Sequence, residues 1–156
     1  MIQRYSTEEM SRIWSDNNKF NSWKTVELAV VKVMTDKGII PEKSCKIIHE
    51  KADFDIDKIL EIEKITRHDV IAFLTNMAEY IGPDSRFVHM GMTSSDLLDT
   101  SLALLCKEAG ELILEKVKNF QNVLRDKAVL HRESFQIGRS HGVHAEPITF
   151  GFKLAL

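Results

Sequence analysis

The sequence lacks the features that would place it in several large classes at once. It has 2 cysteines in 156 residues, and Cys45 and Cys106 lie far apart, neither of them within a C-x-x-C. No zinc spacing can be written with them, and they are read as reduced thiols rather than as a disulfide. No apolar run approaches the roughly 18 residues of a membrane span, and Met1-Ile2-Gln3-Arg4-Tyr5 lacks the apolar stretch of an export signal, so the default location is cytoplasmic. Neither charge dominates: 21 Lys and Arg stand against 23 Asp and Glu, a net charge of -2, which gives no electrostatic case for nucleic acid, a polyanionic partner or an anionic membrane face. There is no internal repeat and no low-complexity tract. What remains is an ordinary globular composition, 44% apolar and 28% charged, long enough to bury a core in one or two domains.

The apolar residues recur at helical spacing through most of the chain. Ser6-Thr7-Glu8-Glu9 fits a capping box with Ser6 as the cap, followed by a short helix with Met10, Ile13 and Trp14 on one face. Asp16-Asn17-Asn18 supplies a break and a new cap. A second, more apolar helix then runs from Phe20 and Trp23 through Val33-Met34 to Gly38, a residue suited to the left-handed position after a helix. Pro41 opens a third helix, with Cys45, Ile47 and Ile48 on its apolar face. Asp55 or Asp57 caps a fourth through Ile59, Leu60, Ile62 and Ile65. An apolar helix resumes after Thr66-Arg67-His68-Asp69, with Asp69 as its expected cap, and stops at Gly82-Pro83.

From Asp96 to about Arg132 there is no proline and a single glycine, Gly110. Leu98, Leu102, Leu105, Ala109, Ile113, Val117, Phe120 and Leu124 recur there in steps of four and three. A helix of that span, roughly 55 Å at 1.5 Å per residue, needs more partners than the rest of the sequence offers. Further chain or other subunits are expected to cover it. After Thr149 an apolar, helix-compatible pattern has only begun when the sequence stops, so the chain is expected to be a piece cut in mid-helix. The class implied is all-α.

Three polar stretches interrupt the helices. Thr66-Arg67-His68-Asp69 puts a cation, an imidazole and a carboxylate at one junction, although capping and solvation alone would also account for them. His89-Met90-Gly91-Met92-Thr93-Ser94-Ser95-Asp96 sets three consecutive hydroxyls before the longest helix. Free backbone N–H groups and the helix dipole favour a carboxylate or phosphate there, and a plain capping turn is the alternative. The third stretch, Gly138 to Gly151, holds two histidines, an arginine, two hydroxyls, a carboxylate and three glycines in fourteen residues, a density that core packing does not explain. Histidine titrates near neutrality and can deliver a proton to a leaving nitrogen or oxygen. His141 beside Gly142 is open to close approach, Ser140 and Thr149 add donors, and Arg139 can hold an anion or orient Glu146. A metal held by His141 and His144 lacks a third ligand at a recognisable spacing. A Ser140 nucleophile is weaker still, because adjacent residues rarely point at each other and no nucleophile elbow is present.

Four segments carry a family resemblance: Arg4-Tyr5-Ser6, Thr66-Arg67-His68-Asp69-Val70, Gly91-Met92-Thr93-Ser94-Ser95-Asp96-Leu97-Leu98-Asp99-Thr100 and Gly138-Arg139-Ser140-His141-Gly142-Val143-His144-Ala145-Glu146-Pro147. The whole chain resembles the N-terminal part of the adenylosuccinate lyase family, within the fumarase/aspartase superfamily, in its shorter bacterial form. Fumarases and argininosuccinate lyases have related motifs, but differ around T-R-H-D and lack the H-G-V-H-A-E-P wording. The resemblance implies an N-terminal helical domain over residues 1–93 and the start of a central helical bundle over 94–156. It implies elimination of fumarate from adenylosuccinate and from SAICAR in purine synthesis, with no metal or organic cofactor and no nucleic-acid or membrane partner. It also implies a homotetramer whose sites draw on more than one subunit.

By position, the resemblance makes His141 the general acid, with His68 assisting it or contacting the nucleotide; which group is acid and which base stays open. Arg4 and Tyr5 would bind the nucleotide end, and Arg67 and Asp69 would line the site. Thr93, Ser94 and Ser140 would donate to substrate oxygens, and His89 would shape their loop. Ser140 stands where many relatives have threonine, which keeps the hydroxyl. The family's later serine-rich loop, the source of the catalytic base, is not in this sequence. The remaining alternatives are another fumarate-releasing lyase, such as argininosuccinate lyase, and a non-catalytic helical oligomerisation fragment.

Overall fold

The computed structural model describes residues 2–156, which are helical apart from one pair of strands. After a 3-10 turn at Gln3–Tyr5, α1 (Glu8–Ile13) starts one residue later than the capping box suggests. The cap is Thr7, whose hydroxyl accepts the Met10 N–H at 3.3 Å, while the Ser6 hydroxyl donates back to the Ile2 carbonyl at 3.4 Å. In α2 (Asp16–Asp36) the cap is Ser15, accepting from Asn18 N–H at 3.2 Å, so the break falls just ahead of Asp16-Asn17-Asn18. That helix ends as expected at Gly38, with φ of 74°. Gly38 N–H donates to Thr35 C=O at 2.8 Å and Ile39 N–H to Met34 C=O at 2.9 Å, the paired bonds that close a helix through a left-handed residue.

Pro41 precedes α3 (Glu42–Lys51), which buries Ser44, Cys45 and Ile48 and leaves Ile47 half-buried. Asp55 caps α4 (Ile56–Thr66), accepting from Lys58 N–H at 3.0 Å. Its own N–H is held by Asn76 Oδ1 at 2.8 Å, and the Asn76 amide donates to Glu79 Oε2 at 3.2 Å, so this buried amide has a partner at each end. α5 (Asp69–Ile81) contributes Val70, Ala72, Phe73, Met77 and Ile81 to the core and ends at Gly82-Pro83. Phe73 is the centre of an aromatic group: Phe20 stacks on it with ring centroids 5.8 Å apart, and Trp23 meets it edge-on at 5.4 Å. Such pairs add about 0.5–1.5 kcal/mol each beyond the area they bury.

The long helix is α6 (Ser94–Leu130), 37 residues. Its buried face is Leu97, Ser101, Leu105 and Ala109; Leu105 and Ala109 belong to the expected stripe, whereas Ser101 is buried in place of Leu102. The reason is close approach: Ser22 of α2 donates its hydroxyl to the Ser101 carbonyl at 3.2 Å, where a leucine would hold the helices apart. The chain divides into two compact units, one ending at Ala109 and the other spanning Gly110–Leu156. Among the described residues no helix is long and apolar enough to cross a membrane. Cys45 and Cys106 are free thiols.

In the second unit α6 gives way to a hairpin, β1 (Phe135–Ser140) and β2 (Val143–Thr149), and then α7 (Phe150–Ala155). The sequence reading has an extended segment at Phe135–Ser140 and does not anticipate its antiparallel partner. The pairing runs from Phe135↔Thr149 to Ile137↔Pro147, then resumes at Arg139↔His144. Ala145 and Glu146 thus face Gly138 alone, a bulge in β2. Glycine is required there, because a Cβ on Gly138 would lie 2.8 Å from the Glu146 carbonyl oxygen. The hairpin is fixed to the end of α6 by Phe150 N–H to Ser134 C=O at 2.8 Å and Gly151 N–H to His131 C=O at 2.9 Å.

Candidate active site

Each of the three polar stretches lies at a point where the backbone does something unusual. Among the described residues the non-glycine positions with positive φ are Arg67 at 55°, His89 at 61° and His141 at 51°. A side-chain-bearing residue in the left-handed region costs roughly 1–2 kcal/mol, and such residues gather at functional sites. All three belong to the set singled out by chemistry.

At the first junction Arg67 ends α4 in the left-handed conformation and is exposed. The cap of α5 is His68, not Asp69: His68 Nδ1 accepts the Ile71 N–H at 3.4 Å. Asp69 lies inside the first turn and takes the next N–H, that of Val70, at 2.7 Å. Its carboxylate is also 3.5 Å from His68 Nδ1, so one nitrogen faces two claims. As an acceptor it caps the helix, and as a donor it pairs with Asp69. In the capping state the ring hydrogen sits on Nε2. Asp69 also lines a cleft of about 380 Å³ with Trp14, Lys19, Trp23 and Asp99. Near the start of the chain the Arg4 guanidinium lies 4.8 Å from the centre of the exposed Tyr5 ring, a cation–π contact that pairs the two residues.

The second stretch forms the entry to α6. Asp96 Oδ2 reaches back to the Thr93 N–H at 2.8 Å, and Asp96 N–H bonds Thr93 C=O at 3.0 Å, so the cap is closed by the carboxylate. Among the described residues the hydroxyls of Thr93, Ser94 and Ser95 have no protein partner, which leaves them as donors for a ligand. Upstream, His89 is tied to a residue that sequence reasoning passed over. Glu27, 1% exposed in the middle of α2, accepts the His89 backbone N–H on Oε2 at 2.9 Å and meets His89 Nδ1 with Oε1 at 2.6 Å. In the sequence Glu27 stands within the apolar run of a helix, and a carboxylate at such a position was the available signal.

The third stretch is the hairpin turn. His141 and Gly142, both with positive φ, are the two central residues of a type I′ turn closed by the Ser140↔Val143 pair. His141 is therefore at the tip, exposed, with Ser140 beside it and Arg139 directly across from His144. Thr149 is committed elsewhere: its hydroxyl caps α7, accepting from Phe152 N–H at 3.1 Å. Among the described residues no three His, Cys, Asp or Glu side chains converge as a metal ion would require. Arg67, His68, Asp69, His89, Thr93 and Ser94 belong to the first unit, and Ser140 and His141 to the second.

A helical chain that carries left-handed histidines and unpaired hydroxyls at its breaks matches a known family. Residues 3–156 fit the family described as Lyase, and the chain belongs to that family, within the fumarase/aspartase superfamily. It is 47% identical over 156 residues to the adenylosuccinate lyase of Bacillus subtilis, covering 100% of this chain and 36% of that protein. It is 50% identical over 155 residues to the adenylosuccinate lyase of Synechocystis sp., covering 99% and 36%. The chain thus spans 36% of the length of these curated relatives. The fold is shared with a fumarate lyase from Mesorhizobium sp., at a TM-score of 0.90 and 23% identity over 97% of this chain and 36% of that one. It is also shared with a 3-carboxy-cis,cis-muconate lactonizing enzyme from Pseudomonas putida, at 0.87 and 26% over 97% and 36%.

Proposed function

We propose that the chain is the N-terminal part of an adenylosuccinate lyase, which eliminates fumarate from adenylosuccinate to leave AMP and from SAICAR to leave AICAR. What supports the reading is identity of 47–50% to adenylosuccinate lyases along essentially the whole chain. In the reaction a base removes the proton beside a carboxylate of the succinyl group, and an enolate-like dianion builds up charge. The carbon–nitrogen bond then breaks as an acid protonates the departing nitrogen. No metal or organic cofactor enters this scheme, and electrostatic holding of the dianion is its largest demand.

His141, at the tip of a two-residue turn with Ser140 beside it, is our candidate for the acid. His68 assists it or contacts the nucleotide, with Arg67 and Asp69 lining the site. Arg4 and Tyr5, already stacked as a pair, present a cation and an aromatic face to the nucleotide end. Thr93, Ser94 and Ser140 donate to substrate oxygens, and His89 orders the loop that leads to them. The base is assigned to a later serine-rich loop outside this sequence. We assign residues 1–93 to an N-terminal domain and 94–156 to the start of a central bundle, in a cytoplasmic homotetramer.

Full-length protein incubated with adenylosuccinate should release AMP and fumarate, while argininosuccinate should be left intact. The reverse preference would move the protein to another branch of the superfamily. The 156-residue chain alone should release neither product, and turnover by the purified chain would sink the assignment of the base to other sequence. If AMP does not bind the chain, and His68→Ala changes nothing, the chain is a structural module only.

A further inference from the structure

A carboxylate in the core of a helical domain is expensive to bury unless each oxygen finds a partner. Glu27 meets that demand with one residue, 62 positions along the chain: both of its oxygens are spent on His89, one on the backbone N–H at 2.9 Å and one on Nδ1 at 2.6 Å. The backbone bond alone would be enough to hold a loop. The second bond selects the imidazole. It also bears on the ring's chemistry, because a carboxylate that accepts on both oxygens calls for a hydrogen on Nδ1. The imidazole keeps 18% of its side-chain exposure, and Nε2 is the nitrogen left to meet a ligand. His89 pays for this hold with a left-handed backbone at φ of 61°, and the loop continues through Gly91 at 75° to the hydroxyls at Thr93 and Ser94.

We propose that Glu27 is a positioning residue of the lyase site: it holds His89 as the Nδ1–H form, directs Nε2 to the substrate, and sets the loop that feeds the hydroxyls at the start of α6. The kinetic part of this inference rests on the lyase reading above; the tautomer part does not.

Histidine-selective ¹⁵N labelling of the full-length protein, with long-range ¹H–¹⁵N correlation, reads the tautomer directly. His89 should carry its hydrogen on Nδ1. In Glu27→Gln the amide oxygen can still accept the backbone N–H while its NH₂ faces Nδ1, so the hydrogen should move to Nε2. With adenylosuccinate as substrate, kcat/KM should fall by about tenfold or more, the range seen when an orienting partner is removed. Glu27→Gln added to His89→Gln should cost nothing further, because Glu27 acts through His89. Glu27→Asp, which keeps a carboxylate, should retain the Nδ1–H form if the amide variant does not fold. A His89 Nδ1 without hydrogen in the unaltered protein overturns the proposal, as does an unchanged kcat/KM for Glu27→Gln in an enzyme that cleaves adenylosuccinate. A full-length protein that leaves adenylosuccinate untouched removes the lyase reading instead, and the tautomer of His89 still decides whether Glu27 controls it.

Discussion

At the scale of single residues, Arg67, His89 and His141 each combine a polar side chain with a left-handed backbone. His141 allows the two properties to be separated. Asparagine tolerates positive φ far better than most residues, so His141→Asn should preserve the turn while removing the ring. In the full-length protein that substitution should lower turnover on the order of 10²-fold or more with the hairpin intact, as removal of a general acid does. A rate close to that of the parent would strip His141 of the role. For Glu27 the sequence shows a carboxylate within an apolar run but not its partner, which is distant in sequence, because helical periodicity shows which face a residue lies on without saying what it meets. Phe73 belongs to the readable class, an aromatic on the apolar face of a helix, and its truncation to alanine should cost about 3–5 kcal/mol in equilibrium unfolding.

At the scale of elements, the helices follow from their period, while their starts differ by one or two residues where several capping side chains stand together. Ser6 and Thr7 are both good caps, and the choice between them depends on the turn before them, which leaves Ser6 bonded to Ile2. Thr7→Ala should therefore cost about 1 kcal/mol and Ser6→Ala much less. The hairpin was harder to see, since His-Gly is not one of the usual turn pairs and Pro147 weakens the case for a second strand. Its attachment gives a sharper test. A Cβ on Gly151 would clash with the Ala128 carbonyl oxygen and lie 2.8 Å from the Arg132 backbone. Gly151→Ala should force the hairpin away from α6 at a cost of about 1–3 kcal/mol or more, visible as faster amide exchange across β1 and β2. Arg12 of α1 donates to Glu108 of α6 at 2.6 Å, and Asn18 of α2 adds a second bond at 3.1 Å. The Arg12 bond first, and the Asn18 bond second, hold the Glu108 carboxyl below its ordinary value of 4.5. A carboxyl depressed in the folded state contributes stability that is complete above its unfolded pKa and is lost as pH falls through the folded one. The pair is too open to solvent to be worth more than about 1 kcal/mol. The stability difference between the parent and Arg12→Ala should be present at neutral pH and vanish in acid below the carboxylate range.

At the scale of the whole molecule, the all-α class and the length of α6 were legible because an uninterrupted apolar repeat over that distance has few other homes. What covers the repeat was not, since periodicity marks a face without naming its partner. Beyond Ala109 the face carries Ile113, Leu114, Val117, Phe120 and Val123, each more than half exposed. Covering what remains open on each is worth roughly 1 kcal/mol, so two copies laid face to face would gain about 10 kcal/mol. Association itself costs an estimated 4–15 kcal/mol, which puts the two terms in balance. The chain should therefore associate reversibly and with marked dependence on concentration, not as a fixed oligomer, when followed by sedimentation. Charges in the middle of the face should abolish it: Val117→Glu together with Phe120→Glu should give a monomer at every concentration. Thermal unfolding of the core around Phe73 should be unchanged in that variant, because neither position contributes to it. Association that survives both charges would mean that another surface joins the copies, and would remove α6 as the basis for the proposed homo-oligomer.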